Sequence, residues 1–180
     1  MNRLRHILLV LAAALVCAAC GGPEATNEGG GRPAASAPAA SQPSSTQIRA
    51  ALPDAAFKAM LTPVAPPPRM RAGEKQVVQV HVKNASPTPW PAMGETDGKF
   101  AITLRNRWLA PNGEKVVNDL DGGTSLPHDL APGAEATMSI RITAPKEAGE
   151  YLLEFDMVQE QVSFFRDKGS TPARLTVHVE

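Results

Sequence analysis

The chain has 180 residues, 43% of them apolar, and 18 Lys and Arg against 18 Asp and Glu. Zero formal charge and the lack of any basic run exclude the electrostatic footprint of a nucleic-acid binder. Both cysteines, Cys17 and Cys20, fall in the first twenty residues, which excludes a disulfide or a thiolate metal site within the rest of the chain.

The N-terminus reads MNRLRHILLVLAAALVCAAC, with Arg3 and Arg5 ahead of an apolar run and then small residues. That is the three-part layout of a secretory signal peptide, and its apolar run is too short to span a bilayer. The end of the run, Ala18-Ala19-Cys20-Gly21, resembles the bacterial lipobox. Cys17 stands where that pattern usually has Leu. The resemblance implies a signal peptide over residues 1–19, cleavage between Ala19 and Cys20, and diacylation of the Cys20 thiol. Two acyl chains make a stable anchor, at about 0.8 kcal/mol per buried methylene. Gly21 in place of the Asp that marks inner-membrane retention implies the periplasmic face of the outer membrane.

Residues 20–50 are expected to be the lipidated cysteine and a disordered tether. Between Gly21 and Ala50, twenty of thirty residues are Gly, Ala, Pro or Ser, and Ile48 is the one large aliphatic residue. Such a segment cannot bury enough apolar surface to offset its ordering entropy. Flexible-coil scaling gives it a reach of about 30 Å.

Residues 51–180 have the size of one domain with its own core. Residues 55–61 have helical propensity, but TPVAPPPRM follows, and its prolines predict an irregular edge strand. Two-residue alternation then dominates. Val78, Val80 and Val82 share a face; so do Phe100, Ile102 and Leu104; so do Ala136, Met138, Ile140 and Ile142. Tyr151, Leu153, Phe155 and Met157 repeat the phase, followed by Val162 and Phe164, then Leu175, Val177 and Val179. Turn signals separate the runs at Pro111-Asn112-Gly113, Asp121-Gly122-Gly123 and Ala131-Pro132-Gly133. The pattern predicts an all-β protein, a single antiparallel sandwich of about seven strands.

Glu147-Ala148-Gly149-Glu150-Tyr151 resembles the tyrosine corner of immunoglobulin-type sandwiches, and Trp108 lies where such folds bury a tryptophan. Further pieces are Gly73-Glu74, Thr88-Pro89-Trp90-Pro91, Leu126-Pro127 and Asp129-Leu130-Ala131-Pro132-Gly133. With Ala144-Pro145 and Asp156-Met157-Val158-Gln159-Glu160, they make residues 70–180 resemble a bacterial immunoglobulin-like family. Similar sandwiches are appended to enzymes and exporters of surface polysaccharide. The Asn84-Ala85-Ser86 piece with Trp90-Pro91 is similar to the tryptophan-marked domain of a eukaryotic autophagy receptor. The resemblance implies the fold; other members carry their activity in neighbouring domains.

Chemistry-bearing residues are sparse. His81 and His178 alternate with inward valines and are expected to face solvent, and His128 sits in a loop, so no metal site and no cofactor is expected. No nucleophile elbow, phosphate loop or H-E-x-x-H is present. Trp90, held between two prolines, either folds down as a lid on the sandwich or stands out as a sugar- or peptide-binding platform. EFDMVQEQVSFFRDK is read as a hairpin turning at Glu160-Gln161. On this phase Glu154 and Asp156 share a convex outer face without the enclosure that shifts a pKa. Phe165 points outward beside Arg166, so Trp90, Phe165 and Arg166 are the candidate binding surface, and Tyr151 and Trp108 are structural.

The expected function is a non-catalytic binding or assembly module, anchored by lipid to the outer membrane, with an envelope protein or a glycan as partner and no nucleic acid. One rival is an envelope glycan hydrolase using Glu95 and Asp97 in the loop of residues 84–99, since such hydrolysis takes two acids flanking a cleft. Another is a periplasmic inhibitor of incoming toxins.

Overall fold

The computed structural model describes residues 50–119 and 121–180. The expected signal peptide, the cleavage point at Ala19 and Cys20, and all of the expected tether but Ala50 lie outside the described residues.

Among the described residues ten strands form in chain order: β1 (Ala59–Val64), β2 (Arg69–Met70), β3 (Lys75–Asn84), β4 (Ile102–Leu109), β5 (Val116–Asn118), β6 (Gly123–Ser125), β7 (Glu135–Thr143), β8 (Gly149–Gln159), β9 (Ser163–Phe164) and β10 (Ala173–Val179). They make two sheets. The smaller runs β1-β3-β7 and the larger β2-β10-β8-β4-β5, with β6 also on β4 and β9 also on β8. The segment before β3 divides its two short strands between the sheets, β1 pairing antiparallel with β3 and β2 parallel with β10. The other ladders are antiparallel. This is an all-β immunoglobulin-like sandwich.

The alternation explains which faces meet. Val78, Val80 and Val82 of β3 and Met138, Ile140 and Ile142 of β7 are buried against Ile102, Leu104 and Trp108 of β4, Leu153, Phe155 and Met157 of β8, and Val177 and Val179 of β10. The Tyr151 hydroxyl donates to the Glu147 carbonyl at 3.0 Å, and its ring stands edge-on to buried Trp108 at 6.4 Å. Residues 54–56 form one 3-10 turn rather than a longer helix, and β1 follows as an edge strand with Pro63 in it. An edge tolerates proline because its missing donor faces no neighbour.

The other edge of the small sheet is covered by side chains. The carbonyls of Ser139, Arg141 and Thr143 on β7 accept from Thr124 Oγ1, Asn106 Nδ2 and Asn118 Nδ2, and Thr143 N–H donates to Asp121. Capping of this kind blunts an edge that would otherwise recruit another strand.

Three inward positions expected from alternation fall elsewhere, among them Phe164, which is half-buried and turns its ring to Arg166. Phe100 is half-buried ahead of β4, at φ 69°, where the chain turns after Gly98. The turn brings the backbone onto itself so closely that a Cβ on Gly94 would lie 2.0 Å from the Lys99 carbonyl oxygen. Val162 is 38% exposed, because Gln161 takes φ 60° and the tight turn delays β9 by a residue.

Candidate functional site

The outer face of the large sheet carries a cluster of ion pairs. Residues 153–159 of β8 are buried on both faces, inward and outward. The ladders explain the outward side. Glu154 sits directly between Arg174 on β10 and Arg107 on β4, and Asp156 lies opposite Arg105 on β4. Opposite charges placed across a pleated sheet meet at about 4.5–5.5 Å between Cβ atoms.

The Glu154 side chain is fully buried and is gripped from both flanks, accepting from Arg107 Nε at 2.6 Å and Arg174 Nε at 2.7 Å. Burial pushes its carboxyl up, but hydrogen bonds and charge from Arg107 and Arg174 outweigh burial and hold it below the ordinary carboxylate value. Asp156 goes the other way. Its side chain is 5% exposed and accepts from Arg166 Nη1 at 3.0 Å and from the Arg166 backbone N–H at 3.3 Å. Burial dominates there, and with the charge of Glu154 nearby it raises the Asp156 carboxyl to about 6 against the pull of Arg166. The expectation of an open, unenclosed face for these two acids is therefore wrong. β9 pairs beside β8 and leads into the 3-10 turn of Arg166–Lys168, whose Arg166 covers Asp156, while Arg107 and Arg174 cover Glu154.

Arg166 is itself held in place. Its guanidinium carbon lies 3.8 Å from the centre of the Phe164 ring, a stacked cation–π contact. Phe164 pairs with Val158 across β8 and β9. Arg105 instead turns to Glu160, donating Nε at 3.1 Å and Nη2 at 2.8 Å to one carboxylate oxygen that also accepts from Thr103. Between these groups opens a cleft of about 570 Å³, lined by residues of β4, β8, β9 and the turn after it.

Of the three candidate surface residues, Arg166 belongs to this cleft. Trp90 and Phe165 do not. Both are fully buried, so neither forms part of an exposed surface. The reason is local. Phe165 leaves β9 in helical conformation (φ −66°) at the start of the 3-10 turn, which drops its ring inward rather than continuing the strand's phase. There it stands edge-on to Phe57 and to Trp90, each at 5.0 Å. Trp90 bridges to Leu130 by two backbone hydrogen bonds of 2.9 Å and donates Nε1 to the Ala56 carbonyl at 2.9 Å. Buried Asn84 fixes its approach, donating to the Thr88 and Leu130 carbonyls while accepting from Ser86. Trp90 is thus a lid on the end of the sandwich.

Glu95 and Asp97 are exposed on their loop. His81, His128 and His178 are exposed too, and no group of three metal-ligating side chains converges among the described residues. No helix among them is long and apolar enough to cross a membrane. Arg105, Arg107, Glu160 and Arg174 do not stand out in the sequence. Their signal is the sign complementarity of three alternating segments, Arg105-Asn106-Arg107, Glu154-Phe155-Asp156 and Arg174.

No family model matches the sequence, and no curated protein matches it. Similar solved structures include the CARDB domain of a Pyrococcus furiosus protein, at 16% identity over 68% of this chain and 94% of that one, with a TM-score of 0.42. A beta-glucosidase from Listeria innocua is similar over 68% of this chain and 16% of its own, at 18% identity and a TM-score of 0.41. The sporulation control protein Spo0M from Bacillus subtilis is similar at 14% identity, over 68% and 49% of the two chains, with a TM-score of 0.41. The assignment of the fold rests on the strand order and core described above.

Proposed function

We propose that this chain is a non-catalytic binding or assembly module, anchored through Cys20 to the outer membrane and facing the periplasm, whose contact surface is the cleft between β4, β8 and β9. One observation carries the binding role. The two carboxylates at the base of the cleft are already taken by guanidinium groups, so the face turned to a partner is an array of fixed Arg donors. A general acid or nucleophile has to reach its substrate within hydrogen-bond distance, and Glu154 and Asp156 are covered from that side. The anchor is supported by the likeness of Ala18-Ala19-Cys20-Gly21 to a lipobox. Two measurements test the proposal together. Cys20→Ser is expected to move the protein from the membrane to the soluble fraction, and unchanged partitioning defeats the anchor. Incubation with purified cell-wall glycan is expected to release no reducing ends; release that is lost in Asp156→Asn defeats the non-catalytic role.

A second reading has one observation in its favour. Glu154 and Asp156, two residues apart on one strand, have pKa values pushed in opposite directions, as in paired-carboxylate glycan hydrolases. Such chemistry requires Arg166 to swing away from Asp156 when substrate enters, and the same reducing-end assay decides it.

A further inference from the structure

We propose that the cleft between β4, β8 and β9 binds a neutral, hydroxyl-rich glycan, with Arg107 and Arg166 donating to the sugar and Asp119 and Asp167 accepting from it. This names the ligand class of the binding module and rests on that reading.

The hydrogen-bonding capacity left over in the cleft is of both kinds. A guanidinium carries N–H donors on three nitrogens. Arg107 uses Nε on Glu154, and neither of its Nη atoms has a protein partner among the described residues. Arg166 uses Nη1 on Asp156, while its Nε lies 3.6 Å from Asp167. These side chains are immobilised already, one by a buried carboxylate and the other by stacking on Phe164, so a ligand meets donors whose ordering cost was met on folding. Acceptors stand at the rim. Asp119 and Asp167 are exposed, and both line the cleft.

Charge and apolar content exclude the other ligand classes. The three arginines lining the cleft are outnumbered by five carboxylates, so no positive surplus exists to hold a phosphate or a polyanion. An apolar anchor for a protein hot spot is missing as well. Val158 is buried, one face of Phe164 is occupied by Arg166, and Val162 is the one aliphatic side chain lining the cleft that is markedly exposed. What fits is an uncharged molecule that donates and accepts from neighbouring atoms, as the vicinal hydroxyls of a sugar ring do. The cleft's volume of about 570 Å³ lies in the range of about 300–1,000 Å³ usual for small-ligand sites.

The test is the full chain on a printed array of neutral and anionic oligosaccharides, followed by calorimetry on the best neutral one in low and high salt. Signal confined to neutral sugars, with an affinity unchanged by salt, is expected, because an uncharged ligand is not screened. Arg107→Lys keeps a cation beside Glu154 but loses the Nη pair, and Asp119→Ala changes an exposed residue. Each is expected to weaken binding about tenfold or more, and in Asp119→Ala the melting temperature holds, which separates lost binding from lost folding. Signal confined to anionic sugars, affinity that collapses with salt, or two variants that bind like the parent overturn the proposal. No signal on any sugar also overturns it, and cross-linking in intact envelopes then separates the two failures. A partner captured by the parent and lost in Arg107→Lys leaves the binding module standing with a protein ligand, and no difference removes both.

Discussion

The opposite shifts of Glu154 and Asp156 give a prediction with a definite sign. Asp156→Asn removes one titrating group and leaves a side chain of nearly the same shape, whose Oδ1 can still accept from Arg166. In the folded protein Asp156 titrates at about 6 against an ordinary value of 3.8. Two pKa units correspond to about 3 kcal/mol. Because the folded value is raised, the folded chain binds the proton more tightly than the unfolded chain does. The stability from this group is therefore fully present below about pH 4 and is lost as pH rises through 6. The parent should lose on the order of 2–3 kcal/mol of unfolding free energy between pH 4 and 7 from this residue alone. The asparagine variant cannot lose it. Urea unfolding of both proteins at pH 4, 5, 6 and 7 reads the effect as a difference, in which the titrations of other carboxylates largely cancel. The variant should gain on the parent steadily across that range. A flat difference would mean that Asp156 is better solvated than its burial indicates. A difference of opposite slope would mean that the Arg166 ion pair, not burial, controls the carboxyl, and the account of the site would fail.

Two further substitutions test how the hairpin and the sandwich end are built. Phe165→Ala removes a fully buried ring that contacts Phe57 and Trp90. It should cost about 3–5 kcal/mol, seen as a fall in melting temperature on the order of 10–20 °C, whereas an outward-facing Phe165 would give a change of less than about 2 °C. Tyr151→Phe removes only the hydroxyl bonded to the Glu147 carbonyl. A loss of about 1 kcal/mol in urea unfolding is expected, and an unchanged midpoint would show that the corner hydrogen bond contributes nothing.

The long strands are legible in the sequence because each buries one face and exposes the other, so period-two alternation and sheet position carry the same information. β3 and β7 follow it closely: β3 buries four consecutive alternate residues and β7 three. The short elements are not legible. β5, β6 and β9 have two or three residues each, too few for any period to register. Phe165 shows the cost of extending a phase across a turn. Positive φ at Gln161 and helical φ at Phe165 each displace the register, and the second aromatic, not the first, ends in the core.

The charged cleft is hidden for a different physical reason. Alternation assigns outward residues to solvent, and that inference holds only if nothing else covers the sheet. On β8 the outward residues Glu154 and Asp156 are covered by arginines that arrive from β4, from β10 and from the turn after β9. Even the pair closest in sequence, Asp156 and Arg166, is separated by 10 positions. Desolvation depends on that third layer, so the pKa of an outward carboxylate is a tertiary property even where its strand and its phase are plain. Arg105, Arg107 and Arg174 each look like an ordinary solvated charge when taken alone. Together with Glu154, Asp156 and Glu160 they form complementary rows across three paired strands. Such rows are encoded in the amino-acid sequence as opposite signs at the outward positions of strands that pair. Size makes Trp90 and Phe165 conspicuous, yet large rings are what a sandwich end draws inward, because burying them removes the most apolar surface from water. Guanidinium groups stay at the boundary between carboxylate and solvent, and that is why they, and not Trp90 or Phe165, line the cleft.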